Sequence, residues 1–169
     1  MIFLRAGLAV TCCALACTPR TGGSPLINAG RDVPLLPDGS PAPEPCPSDA
    51  LLVMRALHLR PGDAAHAEID ANQLEREPLT VYPGPVESML MESLGPLPGA
   101  TRFYGRIWTG KRTVVIRYYY AQAPDGEKVP ICAVARKSGG QLVAKPGQFP
   151  GSAELEFSSV AIFIVEDFL

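Results

Sequence analysis

The stretch Thr101-Arg-Phe-Tyr-Gly-Arg-Ile-Trp108, continued by Thr-Gly-Lys-Arg112 and Thr113-Val-Val-Ile-Arg-Tyr-Tyr-Tyr120, decides the fold of this chain. Apolar and polar residues alternate in both runs, and a glycine-containing turn separates them. This pattern is typical of two antiparallel strands joined in a β-hairpin.

The alternation also predicts which face of the hairpin is buried. We take Gly110 and Lys111 as a two-residue turn. The apolar face then consists of the pairs Ile107–Val114, Gly105–Ile116 and Phe103–Tyr118. The opposite face carries the pairs Trp108–Thr113, Arg106–Val115, Tyr104–Arg117 and Arg102–Tyr119. A slip of one residue would bury Arg102 and Arg106, so burial favours this register.

Further short strands surround the hairpin. They are predicted at residues 65–70, 79–82, 86–94, 129–135, 142–144, 153–157 and 160–165. In residues 86–94 Met and Glu favour a helix, but the neighbouring prolines and glycines favour the strand. Turn residues separate them, and the chain contains 18 Pro and 16 Gly, which suit short strands better than long helices. The sequence therefore predicts a mainly β fold, a small antiparallel β-barrel or sandwich.

One short N-terminal helix precedes the strands. Ser48 is the predicted N-cap and Asp49 lies in the first turn. The apolar residues that follow at helical spacing are Leu51, Met54 and Leu57. The turn at residues 60–63 ends the helix.

The first sixteen residues form a secretory signal peptide. A weakly basic start with Arg5 precedes an apolar stretch from Ala6 to Ala16, which is too short to cross a bilayer core of ~30 Å as a stable helix. Small residues at Ala14 and Ala16 allow an ordinary signal peptidase to cleave before Cys17. The chain is therefore expected to be exported.

The same bond also fits a lipoprotein. Ala14-Leu15-Ala16-Cys17 resembles the lipobox of bacterial lipoproteins, whose cysteine carries a diacylglycerol and becomes the new N-terminus. The family prefers Leu where Ala14 stands and a small residue where Leu15 stands. The resemblance implies lipidation of Cys17, and Thr18 after it implies sorting to the outer membrane. A periplasmic or secreted protein without lipid is the alternative.

Cysteine counting favours the lipoprotein. Cys12 and Cys13 leave with the signal, so the mature chain keeps Cys17, Cys46 and Cys132. In an oxidising envelope Cys46 and Cys132 are expected to form a disulfide, which leaves one odd thiol unless Cys17 is lipidated. The alternative is two separate reduced thiols.

Three regions follow from these patterns: residues 1–16 as signal peptide, 17–47 as lipidated N-terminus and Pro-rich tether, and 48–169 as a β-rich domain. Cleavage removes one basic residue and leaves 14 basic against 17 acidic residues, a net charge of −3. Such a charge gives no general attraction to nucleic acid. We expect the tether to be extended and separate from the core.

The hairpin face with alternating basic and aromatic residues is the best candidate for ligand binding. Its members are Arg102, Tyr104, Arg106, Trp108, Arg117 and Tyr119. Aromatic rings and cationic donors suit a glycan, a peptide or an acidic partner. Two alternatives remain: these side chains cover one another, or the last strands cover this face.

A metal-dependent enzyme is the alternative from another class. His66, Glu68 and Asp70 share one predicted strand face, and such groups could bind zinc. A solvated polar face produces the same alternation. Common nucleophile, metalloprotease and phosphate-binding motifs do not occur, so no catalytic residue and no cofactor are predicted.

Two resemblances complete the expectations. Leu97-Pro-Gly-Ala-Thr-Arg-Phe-Tyr-Gly-Arg106, Thr113-Val-Val-Ile-Arg117 and Pro124-Asp-Gly126 resemble the barrel segment of TrbI-like components of conjugation and type IV secretion machines. This implies a barrel and, as an alternative function, an accessory subunit of a secretion apparatus. Cys46-Pro47 before a helix and Pro130-Ile-Cys132 are similar to uncharacterised exported proteins of myxobacteria, whose related domains accompany Ser/Thr kinases. That similarity implies a non-catalytic envelope module for binding, sensing or scaffolding.

Overall fold

The computed structural model describes residue 30 and residues 32–72, 77–137 and 140–169. The signal peptide, Cys17, the first part of the tether and most of the predicted Ser138-Gly-Gly140 turn lie outside the described residues. Within them the chain forms one helix, α1 (Ser48–Ala56). The strands of this part are β1 (Glu44–Pro45), β2 (Ala64–Glu68), β3 (Leu79–Val81), β4 (Gly84–Leu90), β5 (Arg102–Thr109), β6 (Thr113–Gln122), β7 (Lys128–Arg136), β8 (Leu142–Val143), β9 (Lys145–Pro146), β10 (Ala153–Leu155), β11 (Ser159–Ile164) and β12 (Asp167–Phe168).

Six of these strands close into an antiparallel barrel. The ring runs β5–β4–β2–β11–β7–β6 and returns to β5, because β5 pairs with both β4 and β6. The predicted mainly β fold with a small antiparallel barrel and one short N-terminal helix is confirmed. Outside the ring, β8 extends β6, β3–β10–β9 form a small sheet, and β1 pairs with β12. The helix of the described part is not long enough to cross a membrane.

The apolar face of the hairpin fills the barrel, as its alternation predicts. The residues of this face that are buried are Phe103, Ile107, Val114, Ile116 and Tyr118. The rings of Phe103 and Tyr118 meet edge to face, with centroids 5.7 Å apart. The Tyr118 hydroxyl lies 2.7 Å from the Ser88 hydroxyl, which donates to the carbonyl oxygen of Ile69 at 2.6 Å. The polar end of the tyrosine is therefore satisfied inside the core.

The predicted hairpin register is wrong by two residues. Ile107 lies opposite Ile116 instead of Val114, and the N–H of Gly110 donates to the carbonyl oxygen of Thr113 at 2.8 Å. The turn residues are therefore 111 and 112 instead of 110 and 111. Moving a two-residue turn by one position shifts the pairing by two, so the same side chains stay in the core.

Gly105 allows the two strands of the hairpin to approach closely. A Cβ atom at this position would overlap the carbonyl oxygen of Arg117 on β6. The register also shifts beside it, between Tyr104 and Gly105, so that Tyr104 lies opposite Tyr120. This irregularity is a β-bulge, which increases the local twist that a small closed barrel requires.

Helix α1 packs on β7. Its buried residues are Ala50 and Met54, and the Met54 sulfur accepts the backbone N–H of Cys132 at 3.3 Å. Asp49 lies in the first turn as expected, but the N-cap residue is Pro47 and no side chain caps the helix. The prediction of Ser48 as N-cap is wrong, because the proline already ends the preceding segment with an extended backbone.

Candidate binding surfaces

A disulfide joins the start of α1 to the barrel. The sulfur atoms of Cys46 and Cys132, the pair expected from the cysteine count, are bonded in the structure, and their Cα atoms lie 6.0 Å apart. Cys132 is on β7, and 86 positions separate the two residues in the sequence. The chain immediately before α1 is therefore fixed against the barrel wall.

Residues 41–45, which we call the strap, cross the outer face of the hairpin. They bind Arg117, which is only 1% exposed. Its Nη1 donates to the carbonyl oxygen of Ala42 at 3.0 Å and to Oε1 of Glu44 at 3.3 Å, and its Nη2 donates to the carbonyl oxygen of Pro41 at 3.3 Å. Nε has no hydrogen-bond partner among the described residues. The guanidinium is thus compensated mainly by the strap.

Two aromatic rings complete the surroundings of this guanidinium. Its Cζ atom lies 5.6 Å from the Trp108 ring centroid and 5.2 Å from that of Phe168 on β12. Trp108 is buried, and the rings of Tyr119 and Phe168 are 5.1 Å apart. Cation–π attraction is strongest where water is excluded, as it is here.

Tyr119 binds the strap as well. Its hydroxyl donates to Oε1 of Glu44 at 2.6 Å. Burial, followed by the hydrogen bond to the Glu44 carboxylate, raises the pKa of Tyr119 above its ordinary value. The hydroxyl is therefore held in its neutral, donating form.

The predicted binding face is thus divided by the strap. Arg117 and Tyr119 bind the strap, and Trp108 is buried beside the Arg117 guanidinium. The described part of the predicted tether, residues 32–47, does not extend away from the domain, since it contributes β1 and the strap to the packed structure. In the other half of the face Arg102, Tyr104 and Arg106 are partly exposed, as Tyr119 is, but they make no contact with the strap among the described hydrogen bonds.

This partly exposed half forms a cationic patch around one aromatic ring. The Nζ of Lys128 lies 3.5 Å from the Tyr104 ring centroid, and desolvation lowers the pKa of Lys128. The Tyr104 hydroxyl donates to Oε1 of Gln122 at 3.0 Å. Arg102 pairs with Glu87, whereas Arg106 forms no ion pair within the described part of the chain. We call Arg102, Tyr104, Arg106 and Lys128 the cationic patch.

A groove of about 410 Å³ opens beside the cationic patch. Its walls combine buried apolar residues with polar side chains. The groups that could bind a ligand there are Asp70, Asn72, Thr80, Tyr82, Glu87 and Tyr104. Tyr82 is exposed, and its ring lies 6.5 Å from that of Phe149. The volume lies in the range of small-ligand sites.

A second groove, of about 650 Å³, lies between β8 and the β10–β11 region. Lys137, Lys145, Glu154 and Glu156 border it, so its charges are mixed. The Nζ of Lys137 lies 3.4 Å from the Phe157 ring centroid. This cation–ring contact is of the same kind as the one between Lys128 and Tyr104 in the cationic patch.

The residues of the predicted metal alternative do not converge. His66 and Glu68 border one surface depression, whereas Asp70 borders the groove beside the cationic patch. The His66 Nδ1 lies 2.7 Å from Oε1 of Glu92, which also accepts the His66 backbone N–H. These hydrogen bonds lower the pKa of Glu92. Within the described ranges, no three His, Cys, Asp or Glu side chains form a metal-binding group.

A comparison with protein-family models gave no match, and a comparison with curated proteins gave none either. The interpretation of the site therefore depends on the residues of this chain alone. The strap was missed in the sequence, although one signal indicated it. Pairing of Cys46 with Cys132 requires the residues just before Cys46 to lie against the barrel, where Arg117 and Tyr119 need a partner.

Proposed function

We propose that the protein is an exported lipoprotein, anchored to the outer membrane through Cys17, whose barrel binds an acidic glycan without catalysis. The observation that carries the binding proposal is the cationic patch, which would bind the carboxylates of the glycan. The groove of about 410 Å³ beside it is lined by Asp70 and Glu87 and would take hydroxyl groups of the glycan. Arg106 and Lys128 supply cationic donors, and Tyr104 supplies an aromatic surface. Sugar rings stack on aromatic side chains, and their carboxylates attract guanidinium groups.

The small size of the patch favours a glycan over a protein. A standard protein–protein interface uses ~800 Å² on each partner, whereas the patch has four side chains because the strap covers the rest of the face. A saccharide needs only a groove and a few polar groups, and both are adjacent here.

The lipid anchor is supported by the sequence and is compatible with the packing. The Ala14-Leu15-Ala16-Cys17 pattern and the pairing of the two other mature cysteines leave Cys17 free for lipidation. We expect Cys17→Ala to move the mature protein from the membrane fraction to the soluble fraction. Persistence of that variant in washed membranes would overturn the anchor.

Binding is tested by titration calorimetry on the mature protein carrying Cys17→Ala. Oligogalacturonate serves as the acidic glycan, dextran oligosaccharide as the uncharged one and polyglutamate as the acidic peptide. We expect oligogalacturonate alone to bind, and Arg106→Glu to weaken it about tenfold or more. The matched control is Arg60→Glu, at another exposed arginine.

Three outcomes contradict the binding proposal. Equal heats for oligogalacturonate and dextran would exclude charge recognition, and tighter binding of polyglutamate would favour a protein partner. An unchanged affinity in Arg106→Glu would place the ligand elsewhere. A stable ring or large complex after solubilisation would favour the secretion-apparatus alternative instead.

A further inference from the structure

One end of the barrel exposes apolar side chains together with basic ones. It is the end at the β5–β6 turn. Its exposed apolar residues are Leu35 (60%), Leu36 (43%), Val143 (77%) and Phe149 (58%). Its exposed basic residues are Lys111, Arg112 and Lys145. We call these seven residues the basic apolar end.

Direct contacts make these residues one continuous surface. The N–H of Lys111 donates to the carbonyl oxygen of Asp38 at 3.2 Å, in the turn that carries the two leucines. On the other side, Val143 pairs with Thr113, and the N–H of Ala144 donates to the carbonyl oxygen of Arg112 at 3.0 Å. The surface thus spans three segments that are distant in sequence.

The loop that carries Phe149 joins the same surface. The Thr109 hydroxyl donates to the carbonyl oxygen of Gly151 at 2.6 Å. Within the loop, the buried Ser152 donates its hydroxyl and its N–H to the carbonyl oxygen of Phe149, at 2.7 and 3.0 Å. These bonds fix the backbone that presents the exposed ring.

The leucine turn is similarly well ordered by hydrogen bonds. The N–H of Leu36 donates to the carbonyl oxygen of Ser40 at 2.8 Å, and the N–H of Gly39 donates to that of Leu36 at 2.9 Å. The Asp38 carboxylate accepts the Ser40 N–H at 2.9 Å. Both leucines are therefore exposed on a defined turn instead of turning into the core. Exposed large apolar residues that cluster in this way indicate a contact surface.

We propose that the basic apolar end lies on the surface of the membrane that carries the lipid anchor. The partner is an anionic phospholipid bilayer, and the inference rests on the proposed lipidation of Cys17. Three basic residues outnumber two acidic ones here, Asp38 and the cross-strand partner of Lys145, Glu154, so the end keeps a small positive charge that complements phospholipid phosphates. The leucine, valine and phenylalanine side chains enter the boundary between headgroups and acyl chains.

The short distance in sequence between the lipidated residue and the barrel supports this orientation. Twelve residues lie between Cys17 and Gly30 in the sequence, and Gly30 lies against the rings of Trp108 and Tyr119. A chain of this length spans at most roughly 45 Å even when it is fully extended. Such a short connection gives a high effective concentration, so contacts too weak to bind a membrane alone become occupied.

The same orientation leaves the cationic patch accessible. Arg102 and Thr109 are the two ends of β5, and a strand rises ~3.4 Å per residue, so Arg106 lies roughly 10 Å and Arg102 roughly 24 Å along the strand from the turn end. A glycan could therefore reach the patch while the other end contacts lipid.

The inference is tested with the lipidated mature protein in vesicles of phosphatidylethanolamine and phosphatidylglycerol that contain brominated lipid. Leu36→Trp and Val143→Trp place a fluorophore at the basic apolar end, and Leu52→Trp on the exposed face of α1 is the matched control. We expect brominated lipid to quench the first two variants and to leave Leu52→Trp at the level of the parent protein. Replacing phosphatidylglycerol with phosphatidylcholine should reduce the quenching.

The possible outcomes distinguish a failure of the membrane-facing surface from a failure of the lipid anchor. Sedimentation with the vesicles but equal quenching at positions 36 and 52 would overturn the membrane-facing surface and leave the anchor intact. Quenching that does not depend on phosphatidylglycerol would overturn the role of the basic residues. A protein that does not sediment with the vesicles would overturn the anchor and this surface together.

Discussion

The Tyr119 hydroxyl and the Glu44 carboxylate are joined by a hydrogen bond of 2.6 Å between residues 75 positions apart in the sequence. The same carboxylate oxygen accepts a hydrogen bond from Arg117, so one glutamate connects the strap to two residues of β6. This relationship explains why the predicted binding face is divided. In one half of the face, the strap compensates the buried charge of Arg117. The cationic patch is the half that remains accessible to a ligand.

Removal of the Glu44 carboxylate should destabilise the fold. Glu44→Ala leaves the buried Arg117 guanidinium without its ionic partner, and we expect a loss of about 2 kcal/mol in the free energy of unfolding. Because Glu44 is partly exposed, with 29% of its side chain accessible, the loss is smaller than for a fully buried pair. Urea denaturation measures it, and Trp108 emission should shift to the red as the strap loosens.

The exposed Glu127 provides the control for that substitution. Glu127→Ala should change the unfolding free energy by less than ~0.5 kcal/mol. Equal losses of unfolding free energy in both variants would mean that the contact of Glu44 with Arg117 and Tyr119 does not stabilise the fold.

Loss of the disulfide should have a larger effect. The bond closes a loop across 86 sequence positions, and the chain-entropy relation gives about 4.6 kcal/mol for a loop of this length. We expect the double variant Cys46→Ala and Cys132→Ala to unfold at a correspondingly lower urea concentration than the oxidised protein. If dithiothreitol lowers the stability of the double variant as much as that of the parent, the effect does not come from this bond.

A side chain at Gly105 should not be tolerated. In Gly105→Ala the new Cβ would overlap the carbonyl oxygen of Arg117, so the strands must separate, and we expect a loss of about 3 kcal/mol. Gly99→Ala is the control, because its Cβ would meet its nearest neighbour at 3.6 Å, an ordinary contact. Thermal unfolding compares the two, and equal midpoints would refute the close approach of β5 and β6.

Alkaline pH should unfold the protein cooperatively. Burial raises the pKa of Tyr118 and Tyr119 above the ordinary value of 10.0. The folded state thus favours the neutral phenols, and this stability is complete below pH 10 and is lost as the pH rises towards the folded-state pKa values. Phenolate absorbance and circular dichroism should therefore change together. Ionisation of all five tyrosines before any loss of folded structure would contradict this.

The barrel could be predicted because the alternation that specifies each strand lies within a few neighbouring residues. Alternation in β5 and β6 is strict enough to place Phe103, Ile107 and Tyr118 in the core. The register could not be fixed, since turns at 110–111 and 111–112 bury the same face and differ in turn geometry and in which residues of that face pair. The bulge beside Gly105 depends on the closure of the whole barrel.

The strap could not be predicted from periodicity. Residues 41–45 are rich in proline and pair as a strand over only two residues, Glu44 and Pro45. Their position depends on contacts with Arg117 and Phe168, which come from distant parts of the chain. Proline-rich composition indicates an extended segment, and an extended segment can cross a surface as well as leave it.

Intact-mass spectrometry of the mature protein, purified from membranes without reduction, tests the central claim most directly. The account predicts a chain that begins at Cys17, carries diacylglycerol on that residue, and is two protons lighter than the reduced form because Cys46 and Cys132 are bonded. An unlipidated chain that begins at Cys17, or a chain that retains residues 1–16, would contradict it.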